Sequence, residues 1–370
     1  RGRVVDVWQT GKQPVLKIST HNKQVRATGN HPFVKVVGVT SIEGKKYNIA
    51  QWCRADELKK GDIVAVMQKH VFFRKSGSLN LTDAFGPKTD KAEVMRLLGF
   101  YIGDGYSRLR EKGGEVCLYT FDEQDSKIYE NILKSNFNVN VTRVPTSGKD
   151  FLRVSSTTLA SLFENVGITG NAHSKRIPSW IFQCPEKLQK QFLIGYIDAD
   201  GHYRKEGYWS LDCCNLNLVN DFKNLATNLG MTSSNIYKRD RESYLDGRKI
   251  ESTGFSMDIY PNPKKQGAQL IGDTSLLPTG LRFERISSIV RDGCDMTYDM
   301  EVQGYHNFFA NGFLVHNSSG GGIFLEDGRY VGMLVRGAGE TFNLIVPIRR
   351  IYKWATEAKI MWAIDPTVKA

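Results

Sequence analysis

The chain shows three successive patterns of hydrophobic and polar residues. Its first 67 residues contain short runs rich in β-branched residues, such as VVDVWQTG, VLKIST and QVRATG, separated by the turn-like stretches TGKQP and THNK. These runs predict separate short strands, with a further strand in KKGDIVAVM. The stretch FRKSGSLNLTDAFGPKTDK is polar and contains Gly, Ser and Pro, so it predicts a loop and a domain boundary near residue 90.

Beyond residue 90 the spacing of apolar residues becomes helical. It predicts helices in KAEVMRLLGFYIGDG, DSKIYENILKSNF, TTLASLFENVG, PEKLQKQFLIGYIDADG and NLVNDFKNLATNLG, with strand-like pieces such as VCLYTF and FLRVSS between them. Strand patterns return in RFERISSIVRDG, MTYDMEVQG and YHNFFANGFLV. The pattern therefore predicts one β unit that an α+β segment splits in two.

The last 53 residues differ from both parts. GIFLEDGRYVGMLVRG predicts a hairpin about Glu-Asp-Gly, and PIRRIYKWATEAKI predicts an amphipathic helix with proline at its start. We therefore divide the chain into four parts: residues 1–90, 91–277, 278–317 and 318–370.

Composition narrows the class of protein. The chain has 50 Lys and Arg against 39 Asp and Glu, a net charge of +11, which favours a polyanionic partner such as nucleic acid. Its six cysteines form no CxxC pair and no zinc-like spacing, so we expect a protein of the reducing cytoplasm. No apolar run is long enough to span a membrane, and we expect no membrane partner.

A nine-residue segment occurs twice in similar form, as LLGFYIGDG (97–105) and LIGYIDADG (193–201). Small residues four positions apart lie on one helix face in each copy and allow two helix backbones to approach closely. These small residues are Gly99 and Gly103 in the first copy, and Gly195 and Ala199 in the second.

Each repeated helix is predicted to end in an aspartate, Asp104 or Asp200. The helix dipole and the neighbouring carboxylate both disfavour negative charge there, and a divalent cation removes both penalties. Such a pair could bind Mg²⁺ and assist attack on a phosphodiester. The alternative is two ordinary core helices that end at glycine, with aspartates facing solvent.

The repeated pair resembles the LAGLIDADG homing endonucleases. The resemblance implies two α+β halves that form a basic saddle over double-stranded DNA, with Mg²⁺ shared between Asp104 and Asp200. SKRIPSWIF (174–182) resembles the lysine-bearing block of this family, so Lys175 is a candidate for polarising the phosphate or orienting water. Sequence alone does not separate Lys175 from Arg176, and a solvated charge or a phosphate contact is the simpler interpretation.

The flanking β segments resemble an intein, the element that splices itself out of a host protein. RATGNHPF (26–33) resembles the intein block with Thr-x-x-His, while TYDMEV (297–302) and YHNFFANGFLVHN (305–317) resemble the two C-terminal blocks. The resemblance covers residues 1–317. It implies a mixed fold: an all-β Hint horseshoe split by the two-repeat LAGLIDADG domain, followed by a partial β-barrel fragment of the host.

The residues around the end of this region suit a self-cleavage reaction. The side-chain amide of Asn317 can attack its own main-chain carbonyl, forming a succinimide without any cofactor. His316 can donate a hydrogen bond to the developing oxyanion, and the Ser318 hydroxyl can accept the upstream acyl group. By family analogy, four more residues assist these steps: Asp299 and His306 near the junction, and Thr28 and His31 at the upstream bond.

The start of the chain departs from the intein pattern, because RGRVV contains neither Cys nor Ser as first nucleophile. Two explanations are open. The chain is truncated, or it is the large half of a split intein whose N-terminal piece, with its flanking host segment (N-extein), is a separate polypeptide. In either case we expect the Asn317 reaction to remain available.

The tail SSGGGIFLEDGRYVGMLV resembles the nucleophile region of trypsin-like serine proteases, with Ser319 as nucleophile. It would then be the C-terminal host segment (C-extein), although a plain Gly-rich hairpin is the alternative. Two other functions remain for the whole chain: a free DNA endonuclease or DNA-binding module with a non-splicing β scaffold, and a hedgehog-type autoprocessing domain. Neither needs an asparagine directly before a hydroxyl.

Overall fold

The structure, a computed structural model, describes residues 4–69, 79–120, 122–146, 149–245, 248–262, 269–271, 281–302, 307–316, 322–324, 330–338 and 342–358. Its first part contains five strands: β1 (Val4–Thr20), β2 (Gln24–Thr28), β3 (Pro32–Ile42), β4 (Lys45–Arg54) and β5 (Ile63–Met67). The predicted interruption at TGKQP is wrong, because β1 runs through it. Gly11 adopts φ 95° there, and the pairing register shifts next to Gly11 and Pro14, so two bulges accommodate the residues that suggested a turn.

The described residues between 79 and 165 contain four helices and four strands, of which the first helix precedes the α+β region. They are α1 (Leu81–Phe85), α2 (Lys91–Asp104), β6 (Gly105–Arg110), β7 (Gly113–Thr120), α3 (Glu123–Phe137), β8 (Thr142–Thr146), β9 (Lys149–Ser155) and α4 (Thr157–Asn165). Helix α1 corrects the prediction of a polar loop before residue 90. Asn80 caps it through a 3.0 Å bond from the Thr82 amide, and Leu81 and Phe85 join the core around α2.

The second half repeats the order of helix followed by strands. It contains α5 (Glu186–Asp200), β10 (Gly201–Tyr203), β11 (Trp209–Cys213), α6 (Leu216–Asn228), β12 (Thr232–Ser233), β13 (Tyr237–Leu245) and β14 (Arg248–Tyr260). The five helices that the spacing predicts are therefore all present. The hairpin of β13 and β14 has no signal in the hydrophobic pattern, because the first strand, YKRDRESYL, is almost entirely polar.

Helices α2 and α5 pack against each other through their glycines. A Cβ on Gly99 would lie 1.9 Å from the carbonyl oxygen of Phe192, and a Cβ on Gly195 would lie 1.9 Å from that of Arg96. Phe192 follows Arg96, and Gly195 follows Gly99, by the same 96 residues, so a two-fold rotation exchanges the two contacts. The predicted close approach of the helix backbones is confirmed.

The β unit is completed by β15 (Gln269–Ile271), β16 (Leu281–Val302), β17 (Asn307–Ala310) and β18 (Phe313–His316). Strand β16 pairs antiparallel with β1, from Val302 opposite Val4 to Ile286 opposite Thr20. The sheet has nine strands in the order β15-β4-β3-β18-β5-β16-β1-β2, with β17 beside β18. Strands from both sides of the α+β region thus share one sheet, which confirms the split β unit, while its horseshoe shape stays a prediction.

The tail contains β19 (Gly322–Phe324), β20 (Tyr330–Ala338), β21 (Phe342–Pro347) and α7 (Ile348–Glu357). Strands β19 and β20 pair antiparallel, as the predicted hairpin requires, although residues 325–329 between them lie outside the described residues. The three strands form a separate sheet, and a partial barrel remains a prediction. Among the described residues, none of the helices combines the length and apolar character that a membrane span requires.

Candidate functional site

The Thr-x-x-His turn connects β2 to β3. Thr28 ends β2, and its carbonyl accepts a 3.1 Å hydrogen bond from the amide of His31. The segment after β4 is hydrogen-bonded to this turn. The Ala55 amide donates to the His31 carbonyl and the Asp56 amide donates to the Gly29 carbonyl, both at 2.9 Å. Main-chain hydrogen bonds on both sides therefore fix the positions of Thr28 and His31.

The imidazole of His31 lies among aromatic and charged groups. Its ring packs edge-on against Phe33 and Phe308, with centroid distances of 5.9 Å and 6.3 Å. Burial lowers the pKa of His31, the Asp299 carboxylate opposes this by raising it, and His316 lowers it again. The ring is therefore neutral at pH 7, with one nitrogen that can donate and one that can accept a hydrogen bond.

Asp299 and His316 approach this turn from the C-terminal strands. Asp299 is 6% exposed on β16. His316 ends β18, which runs antiparallel to β3 with Val315 opposite Phe33. Both side chains act electrostatically on His31, so residues from opposite ends of the sequence meet in one place.

An aromatic contact that sequence reasoning missed involves His316. Its ring packs against the indole of Trp52 on β4, with centroids 4.9 Å apart and planes at 81°. Trp52 lies in the middle of an ordinary strand pattern, far from His316 in the sequence, so no local signal marks it. The contact restricts the orientation of the His316 imidazole.

The remaining predicted site residues of this part of the chain follow or precede these strands in the sequence. His306, Asn317, Ser318 and Ser319 lie outside the described residues, so their roles stay predictions. His316 is the last described residue before the junction, and β18 lies between β3 and β5 in the sheet. The chain therefore enters the junction beside the Thr-x-x-His turn.

The two repeated aspartates lie at the ends of the packed helices. Asp104 ends α2 and Asp200 ends α5, and in each case the next residue is a glycine that begins a strand. A Cβ on Gly103 would lie 2.7 Å from the Ala199 Cβ and 3.3 Å from the Asp200 Cβ, so the two helix ends touch. The Tyr196 hydroxyl donates to the Asp200 carboxylate at 3.4 Å. The helix packing thus brings both carboxylates to one end of the pair.

Lys175 is buried at this end, with 4% of its surface exposed. Its ammonium donates hydrogen bonds to three main-chain carbonyls at the end of α2: Tyr101 at 2.8 Å, Ile102 at 3.0 Å and Gly105 at 2.6 Å. Carbonyls in the last turn of a helix have few intrahelical donors; the Tyr101 carbonyl also accepts from the Gly105 amide. Burial lowers the pKa of Lys175 to about 8, although Asp104 and Asp200 both raise it. Lys175 therefore holds the end of α2 and places its charge near both carboxylates.

Arg176 has a different partner from its neighbour. Its Nε and Nη2 donate to both carboxylate oxygens of Asp221 on α6, at 2.6 Å and 2.8 Å. Asp221 also accepts a 3.1 Å bond from the Ile177 amide. Arg176 therefore anchors this segment to α6, whereas Lys175 lies close enough to Asp104 and Asp200 for both to raise its pKa.

The carboxylates at the ends of α2 and α5 can be compared with the ligands that Mg²⁺ binds in proteins. Within the described ranges, no group of three or more His, Cys, Asp or Glu side chains is placed to hold a metal. Mg²⁺ usually binds through one or two carboxylates and keeps several waters or substrate phosphate oxygens. Asp104 and Asp200 fit such a shared ion, and they do not fit a closed site of the structural zinc type.

Comparisons with known proteins bear on both sites. The family model described as the intein splicing domain matches residues 2–317. The match therefore ends at the predicted junction. An iron-sulfur cluster assembly SufBD family protein of Mycobacterium leprae is 26% identical over 357 residues, covering 86% of this chain and 40% of the relative. A DNA polymerase of Thermococcus sp. (strain GE8) is 27% identical over 267 residues, covering 61% of this chain and 15% of the relative. The chain thus spans less than half of either relative.

The fold comparison aligns part of the chain with a solved structure. A structure of mesophilic variants of the homing endonuclease I-DmoI overlaps with a TM-score of 0.34 and 19% identity. The overlap covers 46% of this chain and 88% of that structure.

Proposed function

Because the family model covers most of its length, the chain belongs to the intein splicing domain family, and we propose that it excises itself at the bond between Asn317 and Ser318. The observation that carries the proposal is the meeting of His31, Asp299 and His316, which come from distant parts of the sequence. These three groups lie beside the strand end that leads into the junction.

The bond that breaks within this chain is the one after Asn317. The side-chain amide nitrogen of Asn317 attacks its own main-chain carbonyl carbon and closes a five-membered succinimide. The peptide bond to Ser318 breaks, and the Ser318 nitrogen leaves as an amine with the transferred proton. His316 donates a hydrogen bond to the oxyanion in this step. No cofactor is needed, because attacking and attacked groups belong to one residue and are held in alignment.

Ligation requires an acceptor for the upstream host segment. Before the Asn317 step, the hydroxyl of Ser318 attacks the carbonyl carbon of the last upstream host residue and takes up this acyl group as a branched ester. The bond from that carbonyl to the first intein residue breaks, and the first intein residue leaves with the proton of the hydroxyl. A serine hydroxyl is a weak nucleophile, so Asp299 and His306 assist it. Thr28 and His31 polarise the upstream bond, and a neutral His31 imidazole suits this role because it both donates and accepts.

The α+β region adds a second activity to the proposal, the cleavage of double-stranded DNA. Its support is the two-fold contact of α2 and α5, which brings Asp104 and Asp200 together, and the net charge of +11. When bound, Mg²⁺ would polarise the phosphodiester and stabilise charge in the transition state. Asp104 and Asp200 would hold it, while Lys175 keeps the end of α2 in place and contributes a positive charge near the phosphate.

The proposed host of the element is a serine protease, with Ser319 as its nucleophile. The support is the Ser-Gly-Gly sequence and the antiparallel sheet of β19, β20 and β21 followed by α7. After ligation to the N-terminal host segment, which would carry the catalytic His and Asp, a fluorophosphonate probe should label the product, and Ser319→Ala should remove the label. Equal labelling of the Ser319→Ala product would exclude this host assignment.

The test of splicing is ligation in trans. The purified chain is mixed with a first intein block that is fused behind a reporter, and mass spectrometry follows the products. Splicing predicts a reporter joined to Ser318 in a product that lacks residues 1–317. A hedgehog-type domain predicts cleavage without ligation, and a free endonuclease predicts neither product while DNA is still cut.

A further inference from the structure

A buried lysine lies where the β unit meets the second α+β half. Lys23, between β1 and β2, is 8% exposed. Within the part of the chain that the structure describes, its ammonium has no hydrogen-bond acceptor and no ion-pair partner. A mostly buried ammonium without an anionic partner is costly, because it keeps only part of its hydration. A counter-group would therefore stabilise Lys23 in this place.

The carboxylate that raises the pKa of Lys23, Glu284, already accepts hydrogen bonds from other donors. Glu284 of β16 accepts from the Thr20 hydroxyl at 2.5 Å and from the Asn22 amide at 3.0 Å, and the Arg282 guanidinium also donates to it. The Nε of Arg282 is buried and has no hydrogen-bond partner among the described residues. Two cationic donors, the ammonium of the mostly buried Lys23 and the buried Nε of Arg282, are thus left over after Glu284 is satisfied.

A third cation approaches from the other side of the boundary. Lys223 of α6 donates to the Ser234 carbonyl at 3.0 Å. Burial lowers the pKa of Lys223 to about 8, and Lys23 lowers it further while Glu284 raises it. Burial likewise lowers the pKa of Lys23. Three basic side chains therefore share one carboxylate, and the cluster has an excess of two positive charges.

Of these groups, Lys23 and Arg282 line a small cavity between the two units, whereas Lys223 and Glu284 are not part of its lining. It is lined from the β unit by Asn22, Lys23, Gln68 and Arg282, and from β12 by Thr232 and Ser233. The cavity has room for a single species of about the size of a water molecule, and its lining offers hydrogen-bond donors. A small monovalent anion matches both the size and the charge, whereas sulfate and phosphate are too large.

We propose that chloride binds in this cavity, held by the Lys23 ammonium and the Nε–H of Arg282. The site forms only when the β unit and the second half are docked, because its lining comes from both. Chloride therefore stabilises their contact. The stem of Lys23 also passes over the turn between β17 and β18, since a Cβ on Gly312 would lie 2.9 Å from its Cδ. Filling the site thus supports the hairpin that ends at His316.

The experiment compares thermal unfolding of the full chain in buffers of constant ionic strength, in which chloride replaces gluconate. The Tm of the unmodified chain should rise with chloride, because an ion that binds only the folded state stabilises it. Lys23→Met should lose this rise. Lys134→Met, which removes an exposed charge from α3, is the matched control and should keep it. In parallel, the ³⁵Cl NMR line should broaden with the unmodified chain and not with Lys23→Met.

A second variant covers the case in which Lys23→Met does not fold. Gln68→Glu places a carboxylate at the cavity, where it replaces chloride as counter-ion, so the Tm should no longer depend on chloride although Lys23 is intact. A chloride response that is the same in the unmodified chain, Lys23→Met and Gln68→Glu would overturn the proposal. The absence of any chloride response or ³⁵Cl broadening in the unmodified chain would overturn it as well.

Discussion

The substitution Gly99→Ala tests the helix contact that brings the two aspartates together. The new Cβ would lie 1.9 Å from the Phe192 carbonyl oxygen, 2.8 Å from its carbon and 3.0 Å from the Tyr196 nitrogen. All three atoms are backbone, so no rotamer change relieves the clash. Restoring even a tight contact of about 3.0 Å requires α2 and α5 to separate by roughly 1.1 Å. Overpacking a core costs about 1–3 kcal/mol, and we expect the upper end, ~3 kcal/mol, because backbone meets backbone.

The assay is urea unfolding followed by far-UV circular dichroism, which reports mainly on the helices of the two halves. Gly195→Ala should cost about as much as Gly99→Ala, because the two-fold rotation exchanges their contacts. Gly38→Ala is the control: its Cβ would meet only the Ile49 Cδ1, at 3.7 Å, so stability should change by no more than about 0.5 kcal/mol. If Gly99→Ala unfolds at the same urea concentration as Gly38→Ala, the close helix contact does not exist.

Three further predictions concern the sites. Asp104→Asn or Asp200→Asn should remove Mg²⁺-dependent DNA cleavage without slowing release of the segment after the junction; joint loss of both activities would argue against separate sites. Trp52→Ala should slow that release about tenfold, equivalent to about 1.4 kcal/mol, and shift its pH profile, because the His316 ring loses its aromatic contact. Trp52→Phe should restore most of the rate. Equal release rates and pH profiles in the unmodified chain and Trp52→Ala would rule out a positioning role for Trp52. Burial lowers the pKa of His31 below 6.5, so as pH falls from 6.5 towards this lower pKa the unfolded chain takes up a proton that the folded chain does not. The free energy of unfolding should therefore fall over this window and less so in His31→Gln, as urea titrations at each pH would measure; identical slopes would refute the lowered pKa.

Local patterns predicted a large part of this molecule because the relevant physics is local. Helical spacing marks α2 and α5, and the small residues at Gly99 and Gly195 indicate which faces approach. The Thr-x-x-His turn and the terminal His316 likewise occur in short motifs, which identify the residues that meet near β18. None of this required knowledge of distant contacts.

The failures have long-range or compensating causes. Strand β1 continues through Gly11 because its pairing with β16 absorbs the irregularity as bulges, which no local pattern shows. Lys175 and Arg176 are equivalent in sequence, and only their distant partners, the end of α2 and Asp221, distinguish them. Trp52 contacts His316 from a strand near the other end of the chain.

The central claim is that the chain breaks its own backbone after Asn317, and mass spectrometry of the incubated chain tests it most directly. The account predicts a fragment that begins at Ser318, together with a 1–317 fragment that ends in a succinimide or its hydrolysis product. Asn317→Ala should yield neither, while Asn220→Ala on the exposed face of α6 should behave as the unmodified chain. Release of the Ser318 fragment at the same rate from Asn317→Ala would contradict the account.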